Sequence, residues 1–443
     1  MAGYTREDIE RIVKEEDIRF IRLQFTDIFG TLKNISITER QLSRALDNKC
    51  MFDGSSIEGF VRIEESDMYL YPDLNSFAVL PWIKEGGKVA RLICDVYDTH
   101  GKPFTGDPRC VLKNVLAEAE KMGYSVNVGP EAEFFLFGTD DNGKPTAIRH
   151  DEAGYFDLGP IDTDEYIRRE MCRYLEEMGF EIEASHHECA DSQHEIDFKY
   201  GDALTTADNI ITFKLLVKTV AQLNGLHATF MPKPIYGISG SGMHINISLS
   251  SGGKNIFYDE KDKLGLSREA YCFIAGVLEH ARGMSAITNP IVNSYKRLVS
   301  GYEAPIYIAW SAKNRSPLIR IPAAKGAGTR VEIRNPDPAA NPYLAFAAVL
   351  AAGLDGIRRG LTPPASVDTN IFEMSEEELE KKNIRALPKN LSEAVRELER
   401  DELIMNTLGE HIAKKYVKAK KLEWREYTTT VHEWEVNKYL IKY

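Results

Sequence analysis

The sequence predicts an α+β protein with one small and one large domain, in which strands of a curved sheet turn polar faces toward a common site. Its 443 residues exceed the roughly 100–200 of a usual single domain. Helix-period stretches alternate with strand-period ones. Acidic and imidazole residues fall one per strand: Glu131 and Glu133 in Pro130-Glu-Ala-Glu-Phe-Phe-Leu-Phe137, Glu188 and Glu195 in the His186–Phe198 stretch, His244 after Gly240-Ser-Gly-Met, and Glu332 in Arg330-Val-Glu-Ile-Arg334.

Up to about residue 100 the chain reads as a helix (Arg6–Glu16), a Phe20–Phe25 strand, an Asp27-Ile-Phe-Gly30 turn and further short strands. Asp98–Pro108 is rich in Gly and Pro and reads as a linker. Beyond it, Val111, Leu112, Val115, Leu116 and Ala119 recur at helical spacing, predicting a helix over Val111–Met122. A second helix, Asp164–Met178, ends at Gly179 as the first ends at Gly123, and both lead through Met-Gly-aromatic into a strand with candidate ligands. Helices follow at Ala207–Leu223, Ser267–Arg282 and Asn341–Arg358, the last apolar almost all round and therefore buried, and in the charged tail at Leu391–Leu408.

In an extended strand residues two apart share a face, so Glu131 and Glu133 point one way. His244, Asn246 and Ser248 form a polar face opposite Met243, Ile245, Ile247 and Leu249; Arg330, Glu332 and Arg334 oppose Val331 and Ile333. Each glutamate alone reads as a solvated sheet face. The set does not, because a solvated face carries Lys, Thr and Ser as readily. Glu332 between two arginines also fits an ion-pair ladder. Five carboxylates and one imidazole suit two hard divalent cations with three protein ligands each.

Arg297, Arg315, Arg320, Arg330 and Arg334 crowd into under forty residues of a chain that is acidic overall. Guanidinium groups bind carboxylates and phosphates in pairs of hydrogen bonds and stabilise a phosphoryl group in transfer. Nucleic-acid binding fits poorly with a net charge of −12 and no basic stripe. No apolar run reaches the ~18 residues needed to span a bilayer, and the N-terminus is too polar for a signal peptide. The 6 cysteines show no Cys-x-x-Cys pair, so reduced thiols in a cytoplasm are expected. Cys189, beside Glu188, reads as a small buried hydrophobe. No Walker-type loop is present, so a bound nucleotide would rely on metals and arginines.

Met51-Phe-Asp-Gly-Ser-Ser-Ile57, Gly240-Ser-Gly-Met-His244, Asn293-Ser-Tyr-Lys-Arg297 and Asn335-Pro-Asp-Pro-Ala-Ala-Asn-Pro-Tyr343 resemble, in this order, the signatures of the bacterial type I glutamine synthetase family. The resemblance runs from about Tyr4 to near the C-terminus. It implies a β-grasp-like domain over residues 1–100 and an α/β half-barrel catalytic domain over 101–443. It also implies a homododecamer of two hexameric rings, with active sites between subunits. By the same resemblance Glu133, Glu188 and Glu195 hold one Mg²⁺ or Mn²⁺ that orients glutamate, and Glu131, His244 and Glu332 hold another at the ATP phosphates. Arg315, Arg320 and Arg334 match residues that stabilise the phosphoryl group or hold substrate. Arg297 matches the anchor of the glutamate α-carboxylate, and Ser239 and Gly240 lie where glutamate is contacted. Asp53 matches the group that binds and deprotonates ammonium, though Asp-Gly-Ser-Ser is also turn chemistry. Glu303 matches the flap that shields the acyl phosphate; Glu183, Tyr200 and Ser248 fall where the nucleotide is contacted.

Three departures stand out. Ser239 replaces a usual Asn, Ser300 replaces a Pro and loosens the flap, and Asp191-Ser192 stands where Pro-Gly or Gly is common. In the adenylylated subclass a tyrosine lies near Lys381–Pro388; Arg385 takes that position here, so adenylylation is not expected. The shorter chain resembles the Gram-positive-type subclass, for which feedback inhibition, with Arg62 placed where it acts, and contact with nitrogen-regulatory repressors are implied. Arg62 also reads as a surface ion-pair partner. The function implied is ATP-dependent ligation of ammonia to glutamate. The alternatives are γ-glutamylation of a larger amine or polyamine, and a non-catalytic regulatory member.

Overall fold

The computed structural model describes residues 3–57, 59–60, 67–83, 86–302 and 304–443. Arg62 and Glu303 lie outside the described residues.

The N-terminal part comprises α1 (Arg6–Glu15), β1 (Ile18–Thr26), β2 (Leu32–Thr38), α2 (Leu42–Leu46), β3 (Cys50–Asp53), β4 (Asp67–Pro72), β5 (Ala78–Val79) and β6 (Lys88–Tyr97). Thr5 and Asp8 start α1 by a reciprocal cap: the Asp8 amide donates to Thr5 Oγ1 at 3.1 Å and the Thr5 amide to Asp8 Oδ2 at 3.0 Å. The sheet order is β2-β1-β6-β4-β3, with β1 and β6 parallel and the other pairs antiparallel, as in a β-grasp. Ile9 and Val13 bury one face of α1 against Ile21, Leu23, Leu70 and Leu92. Burying each such side chain contributes about 1.5–3 kcal/mol.

The larger, C-terminal part opens with α3 (Pro108–Lys121), β7 (Ser125–Thr139), β8 (Pro145–Arg149), α4 (Glu165–Glu177), β9 (Ile182–His187), β10 (Gln193–Phe198), β11 (Gly201–Asp202), α5 (Ala203–Leu223) and β12 (Leu226–Thr229). It continues through β13 (Met243–Ser251), β14 (Lys254–Asn255), α6 (Arg268–Thr288), α7 (Ser294–Arg297), β15 (Trp310–Ser311), β16 (Ile319–Arg320), β17 (Val331–Ile333) and α8 (Pro342–Arg359), and ends in α9 (Glu376–Lys381), α10 (Leu391–Arg400), α11 (Glu402–Thr429) and α12 (Glu433–Tyr439). Eleven strands form the half-barrel sheet, with the path β15-β16-β17-β13-β7-β10-β9. Ala132, Phe134 and Leu136 of β7 and Ile245, Ile247 and Leu249 of β13 turn toward the helices and are at most 1% exposed. α8 is buried along nearly its whole length, as its composition requires.

The Gly- and Pro-rich stretch Asp98–Pro108 is a fixed seam, which corrects the linker reading. Phe104 is buried in the N-terminal core, and its amide donates to the Val96 carbonyl at 2.8 Å. Asp107 accepts from the Val96 and Arg109 amides and caps α3. Arg109 ties Asp73 and Asp95 of the small domain to Asp208 of α5 at 2.6–2.9 Å. Gly30, at φ +81°, lets the 27–30 turn meet α8: a Cβ there would stand 2.9 Å from Asn341 Cα. The helix expected over Leu391–Leu408 is two helices, because Asp401 leaves the helical region (φ −92°, ψ 93°) and caps α11. The helix expected to end at Arg282 continues to Thr288. No helix among the described residues is long and apolar enough to cross a membrane.

Candidate active site

Strand register builds the site. Glu131 of β7 pairs with His244 of β13, Glu133 pairs with Glu195 of β10, and Glu332 of β17 pairs with Asn246. The ligating atoms of Glu131, His244 and Glu332 lie within 4.8 Å of one another. His244 Nδ1 is 3.3 Å from Glu131 Oε2 and 3.6 Å from Glu332 Oε1. Asn246 Nδ2 donates to Glu131 Oε1 at 2.9 Å, and its own Oδ1 accepts from Arg330 Nε. Burial opposes the charge on Glu131, but hydrogen bonds from His244 and Asn246 and the nearby Arg320 hold its pKa down to about 2. Glu332 is fully buried and paired with Arg320 Nε and, at 2.6 Å, with Arg334 Nη1. The ladder partner across the sheet is therefore Arg320; Arg330 binds Asn246 instead.

The second set differs. His186, Glu188 and Glu195 offer ligand atoms within 4.8 Å of one another. Glu133 stands beside them, its Oε2 accepting from Gln193 Nε2 at 2.7 Å and from the Gly242 amide at 3.1 Å. Burial, reinforced by Glu188, pushes Glu133 up to about 8. Burial, with Asp197, Glu133, Glu131 and Glu188 around it, raises Glu195 well above the carboxylate range. Buried oxygen donors crowded so closely that they raise one another's pKa are what a hard divalent cation satisfies, so the donor set fits Mg²⁺ or Mn²⁺. Glu188 lies one residue beyond β9, at the hairpin end, so the ligands are not strictly one per strand.

Two clefts flank the sets. One is lined by Glu133, Glu188, Ser239, Gly240, Arg297 and Arg334. The other gathers Glu131, Glu183, Asp197, Tyr200, Ser248 and Arg330, which brings Glu183, Tyr200 and Ser248 of the expected nucleotide contacts together, without Arg320 among its lining residues. Gly242 is required where it is: a Cβ would meet Arg297 Nη2 at 2.6 Å and His244 Nε2 at 2.8 Å. Arg297 is buried, donating to the Asn335 carbonyl at 2.8 Å and the Arg334 carbonyl at 3.2 Å while lining the first cleft. Arg315 is exposed, near Tyr155, and is not among the residues lining either cleft. Asp53 ends β3 and lines neither; its carboxylate accepts from the Ser55 amide at 2.8 Å, and Ser55 holds its pKa below the usual range. Cys189 is exposed on the first cleft, not a buried hydrophobe, because the strand has ended and Ala190 takes the interior place.

Sequence reasoning missed Gln193 and Asp197 as site residues. Both share the face of Glu195 by the same alternation that exposed the ligands. His186 carried no such signal, since it meets Glu195 only through the β9–β10 register.

A sheet that places two acidic donor sets between two adjoining clefts defines a catalytic domain rather than a binding module. A family profile described as glutamine synthetase, catalytic domain, matches residues 105–439, and one described as glutamine synthetase, beta-Grasp domain, matches residues 17–99. The chain belongs to the glutamine synthetase family. It is 64% identical to a glutamine synthetase of Clostridium saccharobutylicum over 100% of both chains, and 57% identical to one of Staphylococcus aureus over 99% of both. Among solved structures it is similar to a GmaS/ADP complex, with a TM-score of 0.89 and 35% identity over 98% of this chain and 99% of that one.

Proposed function

We propose that the chain joins ammonia to L-glutamate at the expense of ATP, through γ-glutamyl phosphate, giving L-glutamine, ADP and phosphate. The observation that carries this is that the two donor sets meet on strand β7: Glu131 faces the cleft of Glu183, Tyr200 and Ser248, and Glu133 faces the cleft of Arg297 and Ser239.

Mg²⁺ or Mn²⁺, when held by Glu131, His244 and Glu332 and by Glu133, Glu188 and Glu195, would draw charge from the ATP phosphates and the acceptor carboxylate. ATP lies in the second cleft against Glu183, Tyr200 and Ser248. Glutamate lies in the first, its α-carboxylate beside Arg297 and its body against Ser239 and Gly240. Its γ-carboxylate oxygen takes the γ-phosphoryl group as the bond to ADP breaks, with Arg320 and Arg334 positioned beside Glu332 to offset the charge in transfer and Arg315 brought in from its exposed loop. Ammonia then attacks the acyl carbon and expels phosphate. Asp53 takes the ammonium proton, because ammonium has no lone pair for attack. Asp53 serves a neighbouring subunit in a homododecamer of two hexameric rings, residues 1–100 supplying it and 101–443 the rest. Glu303 closes the site against water. A cytoplasmic location, feedback through Arg62 and contact with nitrogen-regulatory repressors complete the reading.

The test is phosphate release with ATP, glutamate and Mg²⁺ or Mn²⁺, with and without ammonium and with polyamines as rival acceptors. Release that requires both glutamate and ammonium and disappears in Asp53→Ala and Glu303→Ala is expected. Release only with a larger amine, or none at all, refutes the reading.

A further inference from the structure

Behind the hairpin that presents Glu188 and Glu195 lies a buried cluster outside both clefts. Asp151 is 6% exposed and His187, Ser192 and His194 are 0% exposed. Asp151 Oδ1 accepts from the Ser192 amide at 2.7 Å and stands 3.1 Å from His187 Nε2. The other ring nitrogen of His187 donates to the Glu188 carbonyl at 2.7 Å. In return Ser192 Oγ accepts from the His150 amide at 2.7 Å and the Asp151 amide at 3.2 Å. Ser192 has φ +61°, a left-handed conformation that a residue with a side chain adopts only when its surroundings enforce it. The next residue, Gln193, donates to Glu133. One carboxylate therefore fixes the turn from which Glu188 leaves and through which Glu133 is held.

Asp151, His187 and His194 also bring ligand atoms within 4.8 Å of one another. They do not make a further cation site: Arg168 Nη1 donates to His194 Nδ1 at 2.9 Å, which leaves the ring proton on Nε2, and places a guanidinium inside the cluster. The cluster is a brace.

We propose that Asp151 is a positioning residue for the cation set on this hairpin, acting through the left-handed Ser192 and the His187 ring. The proposal rests on the reading that Glu133, Glu188 and Glu195 hold a divalent cation. Partners that orient metal ligands typically change metal affinity by about 10–100-fold when removed.

The experiment is Mn²⁺ titration of the full-length assembled protein, followed by the paramagnetic resonance of free Mn²⁺, on wild type, Asp151→Asn and Asp151→Asn/Ser192→Gly. Asp151→Asn should weaken one Mn²⁺ site by at least about tenfold and leave the other within about twofold. The added Ser192→Gly should recover a clear part of the loss, because glycine takes a positive φ without a clamp. Where Asp151→Asn does not fold, Ser192→Ala, which loses only the hydroxyl acceptor, should weaken the same site by about threefold. Unchanged affinity in a wild-type background that binds two Mn²⁺, equal weakening of both sites, or no recovery by Ser192→Gly overturns the proposal while the metal reading stands. A wild-type protein that binds no Mn²⁺ overturns both.

Discussion

The two donor sets meet on strand β7 but differ in charge balance. Glu131, His244 and Glu332 sit among Arg320, Arg334 and Arg330, so their carboxylates are already paired, and Glu131 is held at about 2. Glu133, Glu188 and Glu195 face one another and Asp197, and burial lifts Glu133 to about 8. The first set is an ion network that a cation would join; in the second, burial and mutual repulsion outweigh the charges of Arg297 and Arg334 on Glu133, and a cation would relieve that crowding. Acidic composition alone therefore does not say whether a site is stable without its ion. The guanidinium groups around it do.

The largest expected effect is on turnover: Glu133→Gln and Glu332→Gln should each lower kcat by roughly 10²–10³, as loss of one preorganised electrostatic group does; retention of more than a tenth of wild-type kcat in either would break the equivalence of the sets. Next is stability without cations. Glu332→Gln strands two guanidinium groups and should cost about 3–5 kcal/mol in denaturant unfolding, whereas Glu133→Gln removes a repelled carboxyl and should raise stability by about 1 kcal/mol. Effects of the same sign would erase the contrast. Mn²⁺ at about 100 times its dissociation constant should stabilise wild type by about 2.7 kcal/mol, with a smaller gain in Glu133→Gln.

The smallest effect calibrates the pH axis against a group remote from both sets. His280 lies between Asp401, 2.8 Å from Nδ1, and Asp355, 3.3 Å from Nε2. Burial lowers its pKa, but the hydrogen bond and charge of Asp401, with Asp355, outweigh burial and raise it. A raised histidine contributes stability that is fully present below its unfolded pKa of about 6.5 and is lost as pH rises through the folded value. The stability advantage of wild type over His280→Gln, read as the difference between their melting curves, should shrink by about 1 kcal/mol between pH 6 and 8.5.

Much of this was legible in the sequence because strand alternation is local. The faces of Met243–Leu249 follow from reading every second residue, and the buried Asn341–Arg358 helix follows from its composition. Partner choice was not legible. Arg320, in a two-residue strand with no period to read, takes the place at Glu332 that Arg330 seemed to own, because cross-strand register is fixed by distant pairing. The Asp98–Pro108 seam was misread for a related reason: its order comes from Phe104 and Asp107 reaching other elements, which Gly and Pro counts do not record. Asp401 broke a helix that its neighbours' periodicity continued, since capping outweighs pattern where an aspartate can accept the next helix's amide.

Strand β7, fifteen residues long, carries Glu131 and Glu133 two positions apart. A strand advances about 3.3–3.4 Å per residue, so the backbone sets the origins of these two ligands close to 7 Å apart whatever the side chains do. It acts as a ruler. On the proposed reaction, a donor phosphate and an acceptor carboxylate tethered at its two marks would meet at a span set by covalent geometry, and inserting a single residue between the marks would turn one of them to the far side of the sheet.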